Sequence, residues 1–323
     1  MNQTLSQIYQ GSARFSRVTA AVAILLFAGF QFTNIEITIK AQVALAVIAL
    51  AIGIPHGAID HLITIPRNSQ PRFIAFIAIY TLIAIIAALA IAKWNLVGFQ
   101  LVVLMSALHF GFGDSAFANE GQAAADKKGY SKLVLASYAI PAGFLPVVLP
   151  LTDKRTLDVL QELNPTLINW AGTFTELLRN TTLTIAVCSI LLLVVTNNYS
   201  LTIDLVLLLA LSFFVPPLVA FAVYFGFWHA IRHTARLVPK LPSAMLKVSS
   251  GNPFSSFLAA VIPGLYAILG IFLIGIFFVA RGTTDFSSDF LWVILVIIWA
   301  LTVPHMATTA KFDVNAFKNS LRP

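Results

Sequence analysis

Long apolar segments recur along the whole chain, and this feature restricts its fold more than any other. Runs of about 18 or more apolar residues are long enough to cross the hydrocarbon core of a bilayer as helices. Of the 323 residues, 10% are charged, whereas soluble domains average about 25%. The sequence therefore predicts an all-α polytopic integral membrane protein, folded as a helical bundle.

About ten transmembrane helices are predicted, within a range of eight to ten, in a single membrane domain over residues 1–323. Pro216 and Pro217 divide one overlong apolar run, because proline removes a backbone donor and clashes with the preceding turn. The predicted spans are 18–32, 41–54, 73–92, 96–112, 133–151, 183–195, 201–214, 217–237, 253–280 and 289–310. The bundle then covers about 18–310. Segment 152–180 is expected to form amphipathic helices in the membrane interface.

The chain carries 20 Lys and Arg against 13 Asp and Glu, a formal net charge of +7. In a membrane protein this excess is typical of the positive-inside bias of the loops, and no nucleic-acid partner is expected. With the N-terminus in the cytoplasm, ten spans place 14 of the 20 basic residues on the cytoplasmic side. This distribution predicts cytoplasmic N- and C-termini. The single cysteine, Cys188, excludes an intrachain disulfide and a thiolate metal cluster.

Four short stretches contain all six histidines. They read GIPHGAIDHL (53–62), ALHFGFGD (107–114), FGFWHAIRH (225–233) and LTVPHMATT (301–309). The stretches lie on the second, fourth, eighth and tenth predicted spans, which all cross in the same direction. At a rise of about 1.5 Å per residue, the first histidine of each stretch lies roughly 18–24 Å along its helix, hence at a shared depth. The sequence predicts that the stretches converge on one metal inside the bundle.

The spacing of the imidazoles indicates a ligand set. His229 and His233 are four residues apart and share a helix face, so they can reach one metal from adjacent turns. His56 and His109 are expected to add two ligands from neighbouring helices. An all-imidazole site suits Fe, Cu or Zn. A carboxylate is expected on the remaining N–H of a ligand histidine.

Four further residues are expected beside these ligands, either hydrogen-bonded to them or as additional ligands: Asp60, His61, Asp114 and His305. Asp60 follows His56 by four positions, and Asp114 follows His109 by five. His61 lies about 140° around the helix from His56, which disfavours a shared metal. For a single histidine the alternative is a polar group satisfied between two helices. For Asp114 the alternative is a solvated charge at a helix end.

The eighth predicted span is rich in aromatic residues. Core packing or lipid contact explains most of them, but a wide apolar substrate beside His229 also needs such a lining. A role in positioning the substrate is expected for Tyr224, Phe225, Trp228 and Phe221. Small residues such as Gly57 and Gly113 beside the histidines allow close helix approach or admit a substrate.

The motifs PHGAIDH, HFGFGD and WHAIRH, in this order, resemble the signature stretches of the Brp/Blh family of membrane β-carotene 15,15′-dioxygenases. The resemblance covers nearly the whole chain. It implies a non-haem Fe(II) enzyme that uses O₂ as co-substrate to split the central double bond of β-carotene into two molecules of all-trans-retinal. The residues that match the family's iron ligands are His56, His109, His229 and His233. Asp60 matches its acidic partner.

The resemblance also implies a setting. These proteins act on β-carotene and related carotenoids in the lipid bilayer, here the cytoplasmic (inner) membrane of a bacterium. The retinal product is the chromophore of microbial rhodopsins, so a rhodopsin is the expected acceptor.

Three other functions fit parts of the pattern. A diiron membrane desaturase or hydroxylase typically needs more histidines, in more paired clusters, than the six present here. A b-type haem or ion-translocating protein would use paired histidines as axial ligands or intramembrane Asp and His groups as proton relays. A carotenoid- or retinal-binding protein would use the aromatic residues to hold its ligand and would not convert it. Metal stoichiometry and a haem absorption band distinguish the first two from a mononuclear iron enzyme.

Overall fold

The computed structural model describes residues 2–33, 37–65, 69–281 and 286–319. Within these ranges the chain is almost entirely helical and contains no β-strand. The helices are α1 (Asn2–Thr33), α2 (Ile39–Gly57), α3 (Asp60–Thr64), α4 (Gln70–Lys93), α5 (Asn95–Ala124), α6 (Lys132–Leu151), α7 (Lys154–Leu163), α8 (Thr175–Val195), α9 (Tyr199–Phe214), α10 (Pro217–Ala222), α11 (Ala230–Leu237), α12 (Pro242–Ser249), α13 (Pro253–Val261), α14 (Leu265–Arg281) and α15 (Phe286–Asn319). A π-helical turn, Val223–His229, joins α10 to α11.

Eight helical segments of the described residues are long and apolar enough to cross a membrane. They are Asn2–Thr33, Ile39–Thr64, Gln70–Lys93, Asn95–Ala124, Lys132–Leu151, Gly172–Val195, Pro253–Phe277 and Trp292–Ala310. This count lies within the predicted range and confirms the all-α membrane bundle. The two other predicted spans are helical as well. α9 is a shorter apolar helix, and α10, the π-helical turn and α11 form one continuous segment that carries Arg232 and Arg236.

Several helices extend beyond their predicted limits. α1 begins at Asn2 instead of near residue 18, and α5 continues past residue 112 to Ala124. The added turns are polar in sequence, but some of their charges find partners inside the protein. Glu120 of α5, for example, accepts from the Arg236 guanidinium at 2.9 Å. α8 likewise begins at Thr175, eight residues before the predicted start.

The second span does not continue as one helix through the first histidine stretch. α2 ends at Gly57, Ala58 and Ile59 form a turn, and α3 starts at Asp60. Pro55 lies in the last turn of α2, where its ring cannot donate to a preceding carbonyl. The angles around the helix from His56 to Asp60 and to His61 assume one regular helix, and they therefore do not apply.

Segment 152–180 contains the amphipathic helix α7 and two short 3₁₀ turns. Its apolar side chains Leu160, Leu167 and Trp170 are buried in the main hydrophobic core. The expected interfacial location of this segment stays a prediction. Two of the 14 basic residues in the orientation argument, Arg67 and Arg322, lie outside the described residues.

Helices α5 and α6 cross at two glycines. A methyl group at Gly143 would collide with the Ala107 carbonyl oxygen of α5, and one at Gly111 would collide with the Ala139 carbonyl oxygen of α6. Small residues at such crossings allow membrane helices to approach closely. Since α6 is the most buried of the candidate spans, this crossing fixes the centre of the bundle next to His109.

Gly143→Ala is therefore expected to destabilise the protein by about 1–3 kcal/mol, because the added methyl forces two backbones apart. Thermal unfolding in detergent measures the effect. The matched control is Gly29→Ala, since a methyl group at Gly29 of α1 meets nothing within 4 Å. Equal melting temperatures for the two variants would show that the crossing tolerates a wider separation.

Candidate metal centre

Five of the six histidines lie together in the centre of the bundle. His56 is in the last turn of α2, His109 is on α5, His229 ends the π-helical turn, His233 is on α11 and His305 is on α15. All five side chains are buried. In eight of the ten pairs the ring centroids are 5.0–6.1 Å apart. The five rings thus surround one shared space.

Most of the ring nitrogens in this cluster have no hydrogen-bond partner among the described residues. They are His56 Nδ1, His109 Nε2, His305 Nε2 and both ring nitrogens of His229 and His233. An unpaired buried polar atom costs about 1–3 kcal/mol, and native proteins rarely leave several together. As placed, no three His, Cys, Asp or Glu side chains of the described residues have the geometry of a formed metal site. The unpaired nitrogens around one space nevertheless fit a cation, which would satisfy several of them at once.

Asp60 holds the ring of His305. Its carboxylate oxygens lie 2.9 and 3.1 Å from His305 Nδ1, and it also accepts hydrogen bonds from the hydroxyls of Tyr80 and Thr308 at 3.2 and 3.0 Å. The contact places the N–H on Nδ1 and leaves Nε2 as the free lone pair. The sequence pairs Asp60 with His56, so its partner differs from the expected one, because the break after Gly57 redirects the carboxylate towards α15.

Asp114 is buried next to His229 and is not a solvated charge at a helix end. One carboxylate oxygen accepts from Trp228 Nε1 at 2.9 Å and from the Tyr224 hydroxyl at 3.2 Å. The other lies 3.9 Å from His229 Nδ1. Asp114 therefore faces His229 instead of His109, the histidine that precedes it by five positions.

Four side chains at four-residue intervals follow one side of the segment from α10 to α11: Phe221, Phe225, His229 and His233. In an α-helix a step of four residues overshoots a full turn by ~40°, whereas the wider π-helical turn falls short of one. The combination keeps these side chains aligned. Phe221 and Phe225 stack at 5.8 Å, and the rings of His229 and His233 are 5.7 Å apart.

A cavity of about 390 Å³ opens beside the histidines. His56, His109 and His305 lie in its wall, together with Phe221 and Phe225, and most of the remaining lining is apolar. The lining also includes Ile77 of α4 and Ile274 of α14, which are 40% and 46% exposed and lie on the two least buried candidate spans of the described residues. The cavity wall thus reaches the surface that contacts lipid.

The remaining candidate residues are distributed differently. Tyr224 and Trp228 are fully buried against Asp114 and are absent from the described lining of the cavity. His61 is outside the five-histidine cluster; it lines the cavity and packs edge-to-face on Phe73 at 5.8 Å. Their expected roles in substrate positioning and metal binding stay predictions.

Glycines make room for these rings. A methyl group at Gly53 would collide with the Phe225 ring, one at Gly57 would lie 3.4 Å from His305 Nδ1, and one at Gly113 would lie 3.3 Å from His229 Cε1. At these three positions the small residues allow side-chain rings to approach, whereas at Gly111 the close neighbour is the backbone of α6.

A buried ion cluster behind the histidines was not predicted from the sequence. Asp204 of α9 accepts from Arg17 Nε at 2.6 Å, from Arg232 Nη1 at 2.9 Å and from the Tyr138 hydroxyl at 3.2 Å. Two sequence signals point to it. Asp204 is a carboxylate within an apolar run, and Arg232 is part of the WHAIRH motif; intramembrane charges of this kind are costly and need a partner.

Arg236 forms a second ion cluster one turn beyond His233. Its guanidinium binds Glu120 at 2.9 Å and Asp313 at 2.7 Å, which joins α11 to α5 and α15. These three helices carry His233, His109 and His305. The ion pairs of Arg236 therefore help to fix the relative positions of the three histidines.

Fold and site together define a class: polytopic membrane proteins with a buried histidine cluster in the wall of an apolar cavity. Residues 46–313 match the sequence model of the family described as Beta-carotene 15,15'-dioxygenase, and the chain belongs to this family. A protein named Beta-carotene 15,15'-dioxygenase, from Uncultured marine bacterium 66A03, is 28% identical over 274 residues, which cover 81% of this chain and 90% of that protein. No solved structure matches the chain. The matched range contains all six histidines.

Asp204→Asn is expected to destabilise the protein by about 3–5 kcal/mol, because it leaves two guanidinium groups without their buried counter-charge. Unfolding in detergent, followed by helical signal against temperature, measures the loss. Asp153→Asn is the control, since the Asp153–Arg155 pair at 2.8 Å is partly exposed, by 31% and 46% of the two side chains, and exposed pairs contribute about 0–1 kcal/mol. Similar losses in the two variants would contradict the supporting role of Asp204.

Proposed function

We propose that this protein is a β-carotene 15,15′-dioxygenase that uses the histidine cluster to hold iron. The reaction adds both atoms of O₂ to the central carbon–carbon double bond and breaks it, which gives two molecules of all-trans-retinal. Membership of the family and the name of the marine bacterial relative support the reaction. The single structural observation that carries the site is the group of unpaired imidazole nitrogens at the wall of an apolar cavity.

The proposed iron ligands come from His56, His109, His229, His233 and His305. Bound Fe(II) would supply the site at which O₂ is activated, and imidazoles without thiolates suit such an ion. The sequence ranks His305 behind the other four. Its free Nε2, with Nδ1 held by Asp60, gives it the arrangement of a metal-binding histidine and supports its inclusion.

The protein's own groups bind, orient and exclude water. The aliphatic and aromatic cavity wall accepts a hydrocarbon chain and keeps the reacting bond away from bulk water. Phe221 and Phe225, stacked above the histidines, hold the polyene against them. Asp60 keeps His305 in a fixed orientation. Tyr224 and Trp228 position Asp114, which presents a carboxylate oxygen 3.9 Å from His229 Nδ1.

We also propose the cellular setting. The excess of basic residues on one side places both termini in the cytoplasm, in the inner membrane of a bacterium. The cavity wall at the lipid-facing surface supports uptake of carotenoid from the bilayer. Retinal released there would be available to a microbial rhodopsin in the same membrane.

The first test is pigment analysis in a bacterial host that accumulates β-carotene. The chain is expected to remove β-carotene and to form about two retinal molecules for each one lost, and His109→Ala is expected to abolish both changes. Tyr266→Ala, at a side chain 82% exposed on the outer face of α14, is the control for expression. Retained β-carotene with folded, iron-loaded protein would contradict the proposal for this substrate.

Metal analysis of the purified protein tests the cofactor. One iron per chain without a haem absorption band is expected, whereas two irons would favour a diiron enzyme and a Soret band would favour a haem protein.

Asp60→Asn is expected to weaken iron binding by about 10–100-fold, because the amide holds the His305 ring less firmly and reduces its basicity. Iron retained after dialysis against a graded chelator measures the affinity. Asp153→Asn serves as the control carboxylate. Unchanged retention in Asp60→Asn would show that His305 contributes no ligand.

A further inference from the structure

A second cavity of about 170 Å³ adjoins the first on the side away from the histidines. Five residues line both cavities and form their common wall: Leu50, Ser106, Phe221, Leu295 and Trp299. The rest of the second cavity lies between α2, α5, α6, α7, α10 and α15. The two spaces are therefore neighbours in the interior of the bundle, separated by the side chains of this common wall.

The second cavity lies at a defined distance from the histidines. On α15, Trp299 and Trp292 precede His305 by six and thirteen residues, which corresponds to ~9 and ~20 Å along the helix axis. On α2, Leu50 and Val43 precede His56 by the same numbers of residues. Because both walls agree, the cavity occupies the depth between ~9 and ~20 Å from the histidine level.

The lining of this cavity is suited to hydrocarbon. Its described hydroxyl groups belong to Ser106 in the common wall and to Thr156, whose hydroxyl already donates to the Pro150 carbonyl at 2.5 Å. Trp299 packs on Phe99 and Trp292 with centroids 5.4 and 5.9 Å apart. A ring hydroxyl placed here would be buried away from water, and the polar side-chain groups of the described lining besides Thr156 are the Ser106 hydroxyl and the indole N–H groups of Trp292 and Trp299, which disfavours hydroxylated rings.

We propose that the second cavity receives one terminal hydrocarbon ring of the polyene and thereby determines which double bond lies at the histidines. This inference rests on the proposed function and extends it to the choice of bond and substrate. The double bonds of a conjugated polyene resemble one another chemically, so an enzyme selects one of them by position. An apolar pocket at a fixed distance supplies that position, and its lining favours unsubstituted rings over hydroxylated ones.

The test fills the second cavity without touching the histidines. Val103→Phe places a ring in its wall on α5, and Val43→Phe does so at its far end on α2, where the native side chain is only half-buried. Val187→Phe, at a position 48% exposed on α8, is the matched control. Each purified, iron-loaded protein is given β-carotene and an apocarotenal that lacks one of the two rings, and the products are separated by chromatography.

The expected result is a change in substrate ratio. Turnover of β-carotene relative to the shortened apocarotenal should fall at least tenfold in both filled variants, or the products of β-carotene should shift to aldehydes of unequal length. The ratio cancels differences in the amount of folded protein. The wild-type chain should also turn over a ring-hydroxylated carotenoid at least tenfold more slowly than β-carotene.

Two outcomes would overturn the inference. Filled variants that cleave both substrates in the wild-type ratio, with central products only, would show that the second cavity holds no part of the substrate. An equal loss on both substrates would assign the cavity a structural role. If the wild-type chain cleaves neither substrate, it is the proposed function that fails, and this is seen before any variant is compared.

Discussion

The position of His229 depends on an ion pair that its own helical segment forms less than one turn away. Arg232, three residues further on, is buried against Asp204 and stacks on the Trp228 ring at 3.8 Å from its centroid. Both side chains are almost completely buried, so separating them would leave the Arg232 guanidinium without a counter-ion in an apolar medium. Trp228 in turn donates to Asp114, which faces His229. The site is therefore held by polar contacts that the bilayer cannot replace.

The bundle and the convergence of the histidines follow from simple physical rules. Apolar length predicts the spans, because the bilayer core has a fixed thickness. Equal direction and depth of the four stretches follow from counting spans, and the structure brings His56, His109, His229 and His233 together. The same count also predicts that His305 shares their depth. In the structure the His305 ring lies 5.2–5.6 Å from the rings of three other histidines. This membership of the cluster could not be predicted from the sequence, because it depends on how α15 packs.

Other parts of the site depend on contacts between distant segments. Asp60 binds His305 across 245 residues, and Arg232 binds Ser16 across 216. The periodic spacing of residues along the sequence does not predict pairs between segments so far apart. Local geometry also mattered, since the turn after Gly57 redirects Asp60 and the π-helical turn aligns two phenylalanines with two histidines. Both are interruptions of regular helix, and a regular helix is what spacing arguments assume.

Ile77 and Ile274 are exposed and also line the cavity, and this determines how the concentration of an apolar substrate has to be expressed. An apolar ligand that enters from the bilayer is present at a mole fraction among lipids and not at a molarity in water. Adding substrate-free lipid at constant volume dilutes it, while adding buffer leaves its supply unchanged. Under the proposed uptake from the bilayer, the membrane is the reaction solvent, and catalytic constants have meaning only when the amount of lipid is stated with them.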